Sequence, residues 1–300
     1  MRALVTGGTG FIGSNIALEL KDQGYDVTIT GSLHEQELPQ FAGKTLYAGL
    51  LGIEWSKIGT IDAVFHQGAI SDTRILDPEE MARANLETSK RVFEYAAEHG
   101  AKHIVYASST AVYGDLPAPY LESMTPKPLN PYAESKAQLD EFAMSFAKLH
   151  PEIRIVGLRY CNVYGPRENH KGKTSTMVYQ FAQQMQTRNP KLFRNGDQKR
   201  DYIYVKDVVR ANMLALEAKE SCVVNCGSGT PTSFNDIVAI LNRKLGLSRT
   251  PEYIDNPYES KYQSYTECDM RLAKEKFGFV PNYTIEQGID DYLASGFLVH

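Results

Sequence analysis

Tyr132 and Lys136 stand four residues apart in the segment Tyr132-Ala133-Glu134-Ser135-Lys136. On a helix that spacing puts a phenol and an ammonium on one face, a turn apart. An ammonium beside a phenol favours the phenolate, so the pair is expected to draw the tyrosine down from about 10 toward working pH. A phenol tuned in this way exchanges a proton with a substrate hydroxyl. The chain opens on a second informative segment, Thr6-Gly7-Gly8-Thr9-Gly10-Phe11-Ile12-Gly13. It follows the apolar run Ala3-Leu4-Val5, which reads as a buried strand. It leads into an amphipathic helix with Ile12, Ile16, Leu18 and Leu20 on the apolar side. A strand–turn–helix of this kind cradles a dinucleotide pyrophosphate: glycines admit the backbone closely, and the helix N-terminus offers N–H groups and partial positive charge. Gly7, Gly10, Phe11, Ile12 and Gly13 are therefore candidate cofactor contacts. A lone Tyr-x-x-x-Lys arises often by chance. Joined to the glycine turn and to a strand ending in Ser108-Ser109, it describes oxidation of an alcohol with a nicotinamide as hydride carrier.

These residues need elements to hold them, and the chain alternates strands with helical patterns. Strands are expected at 26–30, 63–66, 103–108 and 153–158, with helices from about Glu79 to Glu98 and from Glu134 to Leu149. The alternation implies an α/β fold, a doubly wound parallel sheet whose ligands sit at the strands' C-terminal ends. Beyond Pro166 the rhythm changes to helical patterns at 174–188, 205–218 and 233–245, separated by loops rich in Gly, Asn, Pro and charge. Residues 1–165 are thus expected to form a dinucleotide-binding Rossmann domain. Residues 166–300 are expected to form a smaller, mainly helical substrate lobe, with a strand near 222–226 returning to the first. The sequence shows no internal repeat, low-complexity tract or flexible linker.

Composition fits a globular protein with room for a substantial core: 300 residues, 42% hydrophobic and 23% charged. A net charge of -4 gives no reason to expect nucleic acid or an anionic membrane as partner. The first strand begins at residue 2, which leaves no room for a signal peptide, and no apolar run approaches spanning length, so a cytoplasmic location is expected. Cys161, Cys222, Cys226 and Cys268 are scattered without a CxxC pair or a histidine at zinc spacing. They read as buried free thiols, and no metal is expected. His66, ending a buried strand, reads as structural.

Together the glycine turn and the Tyr/Lys pair resemble the short-chain dehydrogenase/reductase superfamily, in its extended, nucleotide-sugar branch. Four further stretches carry the likeness: His66-Gln67-Gly68-Ala69-Ile70-Ser71, Tyr160-Cys161-Asn162-Val163-Tyr164-Gly165-Pro166-Arg167-Glu168, His170-Lys171-Gly172 and Lys199-Arg200-Asp201-Tyr202-Ile203-Tyr204-Val205. With Lys261-Tyr262-Gln263-Ser264-Tyr265-Thr266, the histidine–lysine–glycine segment is similar to the ADP-L-glycero-D-manno-heptose 6-epimerase family, whose product enters lipopolysaccharide. The resemblance runs essentially end to end.

That resemblance implies an NADP-dependent nucleotide-sugar epimerase that oxidises its substrate transiently and returns hydride to the opposite face. Tyr132 would be one acid/base and Lys136 would hold the nicotinamide ribose. Ser109 would hydrogen-bond the reacting hydroxyl, and Lys171 would be a second acid/base. Gly31, Ser32, Gln67, Gly68, Ala69, Ser71, Asn85 and Val163 would complete the cofactor site. Asn162, Lys173, Gln180, Phe193, Arg200 and Tyr262 would join Ser109 and Lys171 at the substrate. Lys173 and Gln180 depart from the serine and histidine that heptose epimerases more often carry there. The second strand ends in Thr30-Gly31-Ser32 without the acid usual for NAD, which favours NADP with NAD still open; only His34 and the more distant Lys44 could meet a 2′-phosphate. Thr110-Ala111 replaces the Asp-Glu pair of sugar 4,6-dehydratases. A UDP-hexose 4-epimerase is the main alternative, and a non-catalytic NADP sensor a weaker one. The superfamily's dimer helices, here 79–99 and 134–149, imply a homodimer or higher homo-oligomer.

Overall fold

The computed structural model describes the chain except at residues 33–37, 50–51, 73–74, 76, 194, 256–263 and 300. Its strands are β1 (Arg2–Thr6), β2 (Asp26–Gly31), β3 (Lys44–Tyr47), β4 (Ala63–His66), β5 (His103–Ser109), β6 (Arg154–Tyr160), β7 (Asn162–Tyr164), β8 (Lys191–Phe193), β9 (Lys199–Tyr204), β10 (Cys222–Cys226), β11 (Pro231–Ser233) and β12 (Glu252–Ile254). Its helices are α1 (Phe11–Asp22), α2 (Pro78–Met81), α3 (Thr88–Glu98), α4 (Pro131–Leu149), α5 (Met177–Thr187), α6 (Val205–Leu214), α7 (Phe234–Leu245), α8 (Arg271–Phe277) and α9 (Ile285–Ala294).

Seven strands form one parallel sheet in the order β10-β6-β5-β4-β1-β2-β3. The chain winds outward from β1 to β3, then crosses back to β4 and proceeds the other way. The reversal between β1 and β4 opens a crevice at their C-terminal ends, where ligands bind in such sheets. Strand β10 joins the far edge beside β6. The remaining strands form a three-stranded sheet, β11-β9-β7, and a pair, β12-β8.

One buried apolar cluster runs from Val5, Ile16 and Ile29 to Val208, Ile237 and Ile289, so both parts of the chain share a core. On α1 the buried face is Phe11, Ile16, Ala17 and Leu20, whereas Ile12 and Leu18 are only half-buried. The expected apolar side of this helix is therefore rotated, because Gly13 and Ala17 let it lie close on the sheet. The expected helix from Glu79 to Glu98 is also interrupted: α2 passes through a π-helical segment, Ala82–Glu87, before α3. The hydroxyls of Thr88 and Ser89 bond back to the carbonyls of Ala84 and Asn85 in this stretch, a competition that loosens a helical ladder.

Candidate active site

Helix α4 forms where Asn130 caps it, its side-chain oxygen accepting from the Ala133 N–H at 2.9 Å, and where Pro131 presets the first turn. Its buried face carries Ala133, Lys136, Leu139, Asp140, Ala143 and Phe146. That face sets Tyr132 and Lys136 at the end of β5, whose last residue is Ser109. The Ser109 hydroxyl is hydrogen-bonded to the Tyr132 phenol and also accepts from the Ala111 N–H at 3.1 Å.

The electrostatics depart from expectation. Burial pushes the Tyr132 phenol above its ordinary value, opposed by the Ser109 hydroxyl, and no lowering by Lys136 is resolved. The reason is geometric: the Lys136 amine donates to the Ala107 carbonyl oxygen at 2.8 Å and lies 5.9 Å from the Tyr132 ring centroid. Burial brings Lys136 itself down to about 8, with Asp140 opposing. His66 is held neutral, its pKa lowered to about 3 by burial and secondarily by Lys136. Its ring nitrogens meet the Thr6 hydroxyl at 2.6 Å and the Ser89 hydroxyl at 2.7 Å.

The glycine turn is shaped for close approach. Gly7 has φ 63°, and a Cβ there would lie 2.7 Å from the Gly68 Cα at the end of β4. A Cβ on Gly13 would lie 2.1 Å from the Gly7 carbonyl oxygen, and one on Gly31 would lie 1.9 Å from the Thr9 hydroxyl oxygen. No side chain caps α1 at Gly10. Its first-turn N–H groups, without intrahelical acceptors, thus face the crevice as an anion cradle. A dinucleotide pyrophosphate fits this donor set, with Lys136 for a ribose and the Gln67–Ser71 loop alongside.

A cavity of about 1330 Å³ joins these pieces. It is lined by Gly7, Gly10, Phe11, Ile12, Gly13, Gln67, Gly68, Ala69, Ser71, Ser109, Tyr132, Lys136, Asn162, Val163, Lys171, Lys173, Gln180, Phe193 and Arg200. Three expected contacts lie outside its lining. Gly31 ends β2 and Ser32 follows it, and neither lines the cavity. Asn85 is buried, its side chain gripping Ile70 N–H and C=O at 2.8 and 2.9 Å and Ser135 Oγ at 3.2 Å, so it pins the Gln67–Ser71 loop to α4. Tyr262 and His34 fall outside the described residues. Lys44 stands at the wrong end of the sheet, paired in register with Thr28 while Gly31 pairs with Tyr47, and its amine bonds the Lys57 carbonyl.

Lys171 reaches the cavity from a 3₁₀ segment, Asn169–Thr174, with its amine 5.7 Å from the centre of the Phe11 ring. Burial lowers its pKa, opposed by Glu168. Glu168 is fully buried and holds both ends of this loop. Its carboxylate accepts from the Thr176 N–H at 2.7 Å, the Thr176 hydroxyl at 3.0 Å and the Gly165 N–H at 3.2 Å. Arg200 lies with its guanidinium 5.8 Å from the Phe234 ring centre. Its Nη1 donates to the Lys199 carbonyl oxygen at 3.0 Å.

The sequence reading missed several lining residues. Tyr160, Gln184, Lys191, Leu192, Phe234 and Ile254 also line the cavity. Ile254 arrives because β12 pairs with β8, a contact without any local signal. Also unforeseen is the meeting of Cys161, Cys268 and Asp201, whose ligand atoms lie within 4.8 Å of one another. The Asp201 carboxylate already accepts from Ser228 N–H and Oγ (both 2.6 Å), Gly229 N–H (3.0 Å) and Cys268 N–H (3.0 Å). Its coordination is that of a loop latch. The Cys268 thiol is pushed well above 9 by its hydrogen bond to Cys161 and by burial. Among the described residues no helix is long and apolar enough to cross a membrane.

The chain superposes on Helicobacter pylori ADP-L-glycero-D-manno-heptose-6-epimerase with TM-score 0.89 and 34% identity, covering 98% of this chain and 95% of that one. It matches Thermotoga maritima UDP-glucose 4-epimerase, solved with UDP-glucose, at TM-score 0.89 and 29% identity, covering 98% and 99%. It matches MoeE5, solved with UDP-glucose and NAD, at TM-score 0.86 and 27% identity, covering 98% of each. Residues 3–227 match the NAD dependent epimerase/dehydratase family. The fold, the glycine cradle and these matches together make the chain an enzyme of the NAD dependent epimerase/dehydratase family, within the extended short-chain dehydrogenase/reductases.

Proposed function

We propose that the enzyme is an NADP-dependent nucleotide-sugar epimerase acting as an ADP-glycero-manno-heptose 6-epimerase. The observation that carries this reading is the presence of two proton-carrying side chains from separate elements, Tyr132 on α4 and Lys171 on the 169–174 segment, in one cavity beside the glycine cradle.

The first-turn N–H groups of α1 hold the cofactor's pyrophosphate and Lys136 its ribose. A nicotinamide held there would supply hydride acceptance from the sugar carbon and its return, with no net redox. Tyr132, joined to Ser109, removes the proton from the reacting hydroxyl. The resulting ketone turns over within the cavity, and Lys171 supplies the proton for the opposite configuration. Lysine suits this role because desolvation lowers its pKa, the direction found here. Arg200 and Lys173 offer positive charge for a diphosphate. The NADP preference rests on Thr30-Gly31-Ser32, which brings no carboxylate to repel a 2′-phosphate.

The test is incubation with a panel of nucleotide sugars, each with NADP or NAD, followed by NMR. Inversion at carbon 6 of an ADP-heptose, at lower NADP than NAD concentration, is the expected outcome. Inversion at carbon 4 of UDP-glucose instead would select the 4-epimerase reading, and preference for NAD would remove the NADP assignment. Binding of NADP with no turnover of any sugar would select the sensor.

A further inference from the structure

Lys136 is 3% exposed, and its amine is held by a neutral carbonyl, that of Ala107. A buried ammonium in such a place needs an opposite charge near it. The carboxylate one turn along the same helix is Asp140, itself 5% exposed. Asp140 is already engaged. Its Oδ2 accepts from Arg159 Nε at 2.9 Å and its Oδ1 from the Tyr106 hydroxyl at 3.0 Å. Arg159, 6% exposed, donates from Nη1 to the Tyr113 hydroxyl at 2.9 Å, which donates to Asn225 Oδ1 at 2.7 Å. Gly157 makes room for this arrangement, since a Cβ there would lie 2.4 Å from the Tyr106 hydroxyl oxygen.

The carboxylate one helical turn from Lys136 is therefore also the ion-pair partner of Arg159, at 2.9 Å. We propose that Asp140 is a positioning residue for the Tyr132/Lys136 pair, acting through Lys136: its carboxylate, shared with Arg159, determines how firmly the ammonium keeps its proton. The groups packed around the pair come from several elements. From α4 the neighbouring groups are Tyr132 and Asp140; from β5, Tyr106 and Ser109; from β4, His66; from β6, Arg159; and from the turn after β5, Tyr113. Burial keeps the three tyrosines and His66 uncharged, which leaves Asp140 as the only anion of the set. Burial draws Lys136 down to about 8 and Asp140 opposes that pull, in accord with the geometry.

This inference rests on Lys136 as the partner of Tyr132, but its test needs no sugar. The protein is labelled with [ε-¹³C]lysine, and the Lys136 signal is assigned by its loss in Lys136→Arg. It is then titrated in the wild type, Asp140→Asn and Arg159→Gln. Asp140→Asn strips Lys136 of its counter-charge, so its midpoint falls by about one pH unit. Arg159→Gln removes the competing cation, so the midpoint rises by about as much. A merely structural role would not move the two in opposite directions. Circular dichroism checks each fold, and should Asp140→Asn not fold, the sign of the Arg159→Gln shift decides alone. Midpoints that stay within about 0.3 of wild type, or that shift in the same direction, overturn the proposal. Because the readout is a lysine titration in the free protein, its failure leaves the epimerase reading to its own assay.

Discussion

Tyr132 and Lys171 line the same cavity, yet the molecule holds them in different ways. Tyr132 rides on a helix of 19 residues, capped by Asn130, with its neighbours Ala133 and Lys136 packed into the core. Lys171 rides on a six-residue 3₁₀ segment that breaks at Gly172 (φ 54°), and none of the six is fully buried. What fixes that loop is tertiary: the Glu168 carboxylate draws together Gly165, at the end of β7, and Thr176, at the start of α5. A cavity-lining side chain can thus be placed by its helix, or by one buried carboxyl that reaches across a loop. The first arrangement resists change at single positions; the second depends on one residue.

The largest expected effect separates chemistry from placement. Tyr132→Phe removes only the phenol oxygen that is bonded to Ser109 and proposed to carry the substrate's proton, so turnover should fall about a hundred- to ten-thousand-fold. Cofactor affinity, measured by fluorescence titration, should stay near wild type. Normal turnover in this variant would mean that the helix-borne tyrosine is not the proton carrier.

A smaller effect tests the loop's anchor. Burial lifts the Glu168 carboxyl from 4.5 to about 7. The folded state therefore binds its proton more tightly than the unfolded chain does. Stability contributed by the protonated group is lost as pH rises through the window from about 4.5 to about 7, in all on the order of 3 kcal/mol. Glu168→Gln has no such titration, so relative to wild type it gains stability across that window. Urea denaturation at about pH 5 and about pH 8 reads the difference. An equal gap at both pH values would show that Glu168 ionises like an exposed carboxyl and exerts no buried hold on the Lys171 loop.

The same contrast explains how much could be read in advance. The parallel α/β sheet, the glycine turn and the Tyr/Lys helix were legible because each is a local pattern: Gly7 and Gly13 announce close backbone approach, and spacing puts Tyr132 near Lys136. The tuning of Tyr132 was not legible, because it depends on where the Lys136 amine goes, and that is the Ala107 carbonyl on another element. Asn85 was expected at the cofactor and instead ties Ile70 to Ser135, since a break in the 79–98 helix turns it toward that loop. Glu168 read only as part of a motif; its burial comes from the packing of segments distant in sequence. Ile254, Cys161 and Cys268 belong to the same class, brought in by pairings that no local periodicity records.

The central claim is that two proton carriers serve the two faces of one sugar, and Lys171→Met at saturating ADP-heptose tests it most directly. The account predicts that kcat falls about a hundredfold or more while cofactor binding and thermal stability stay at wild-type values. A raised KM with unchanged kcat would contradict it, reducing Lys171 to a contact for the diphosphate and leaving Tyr132 to serve both faces alone.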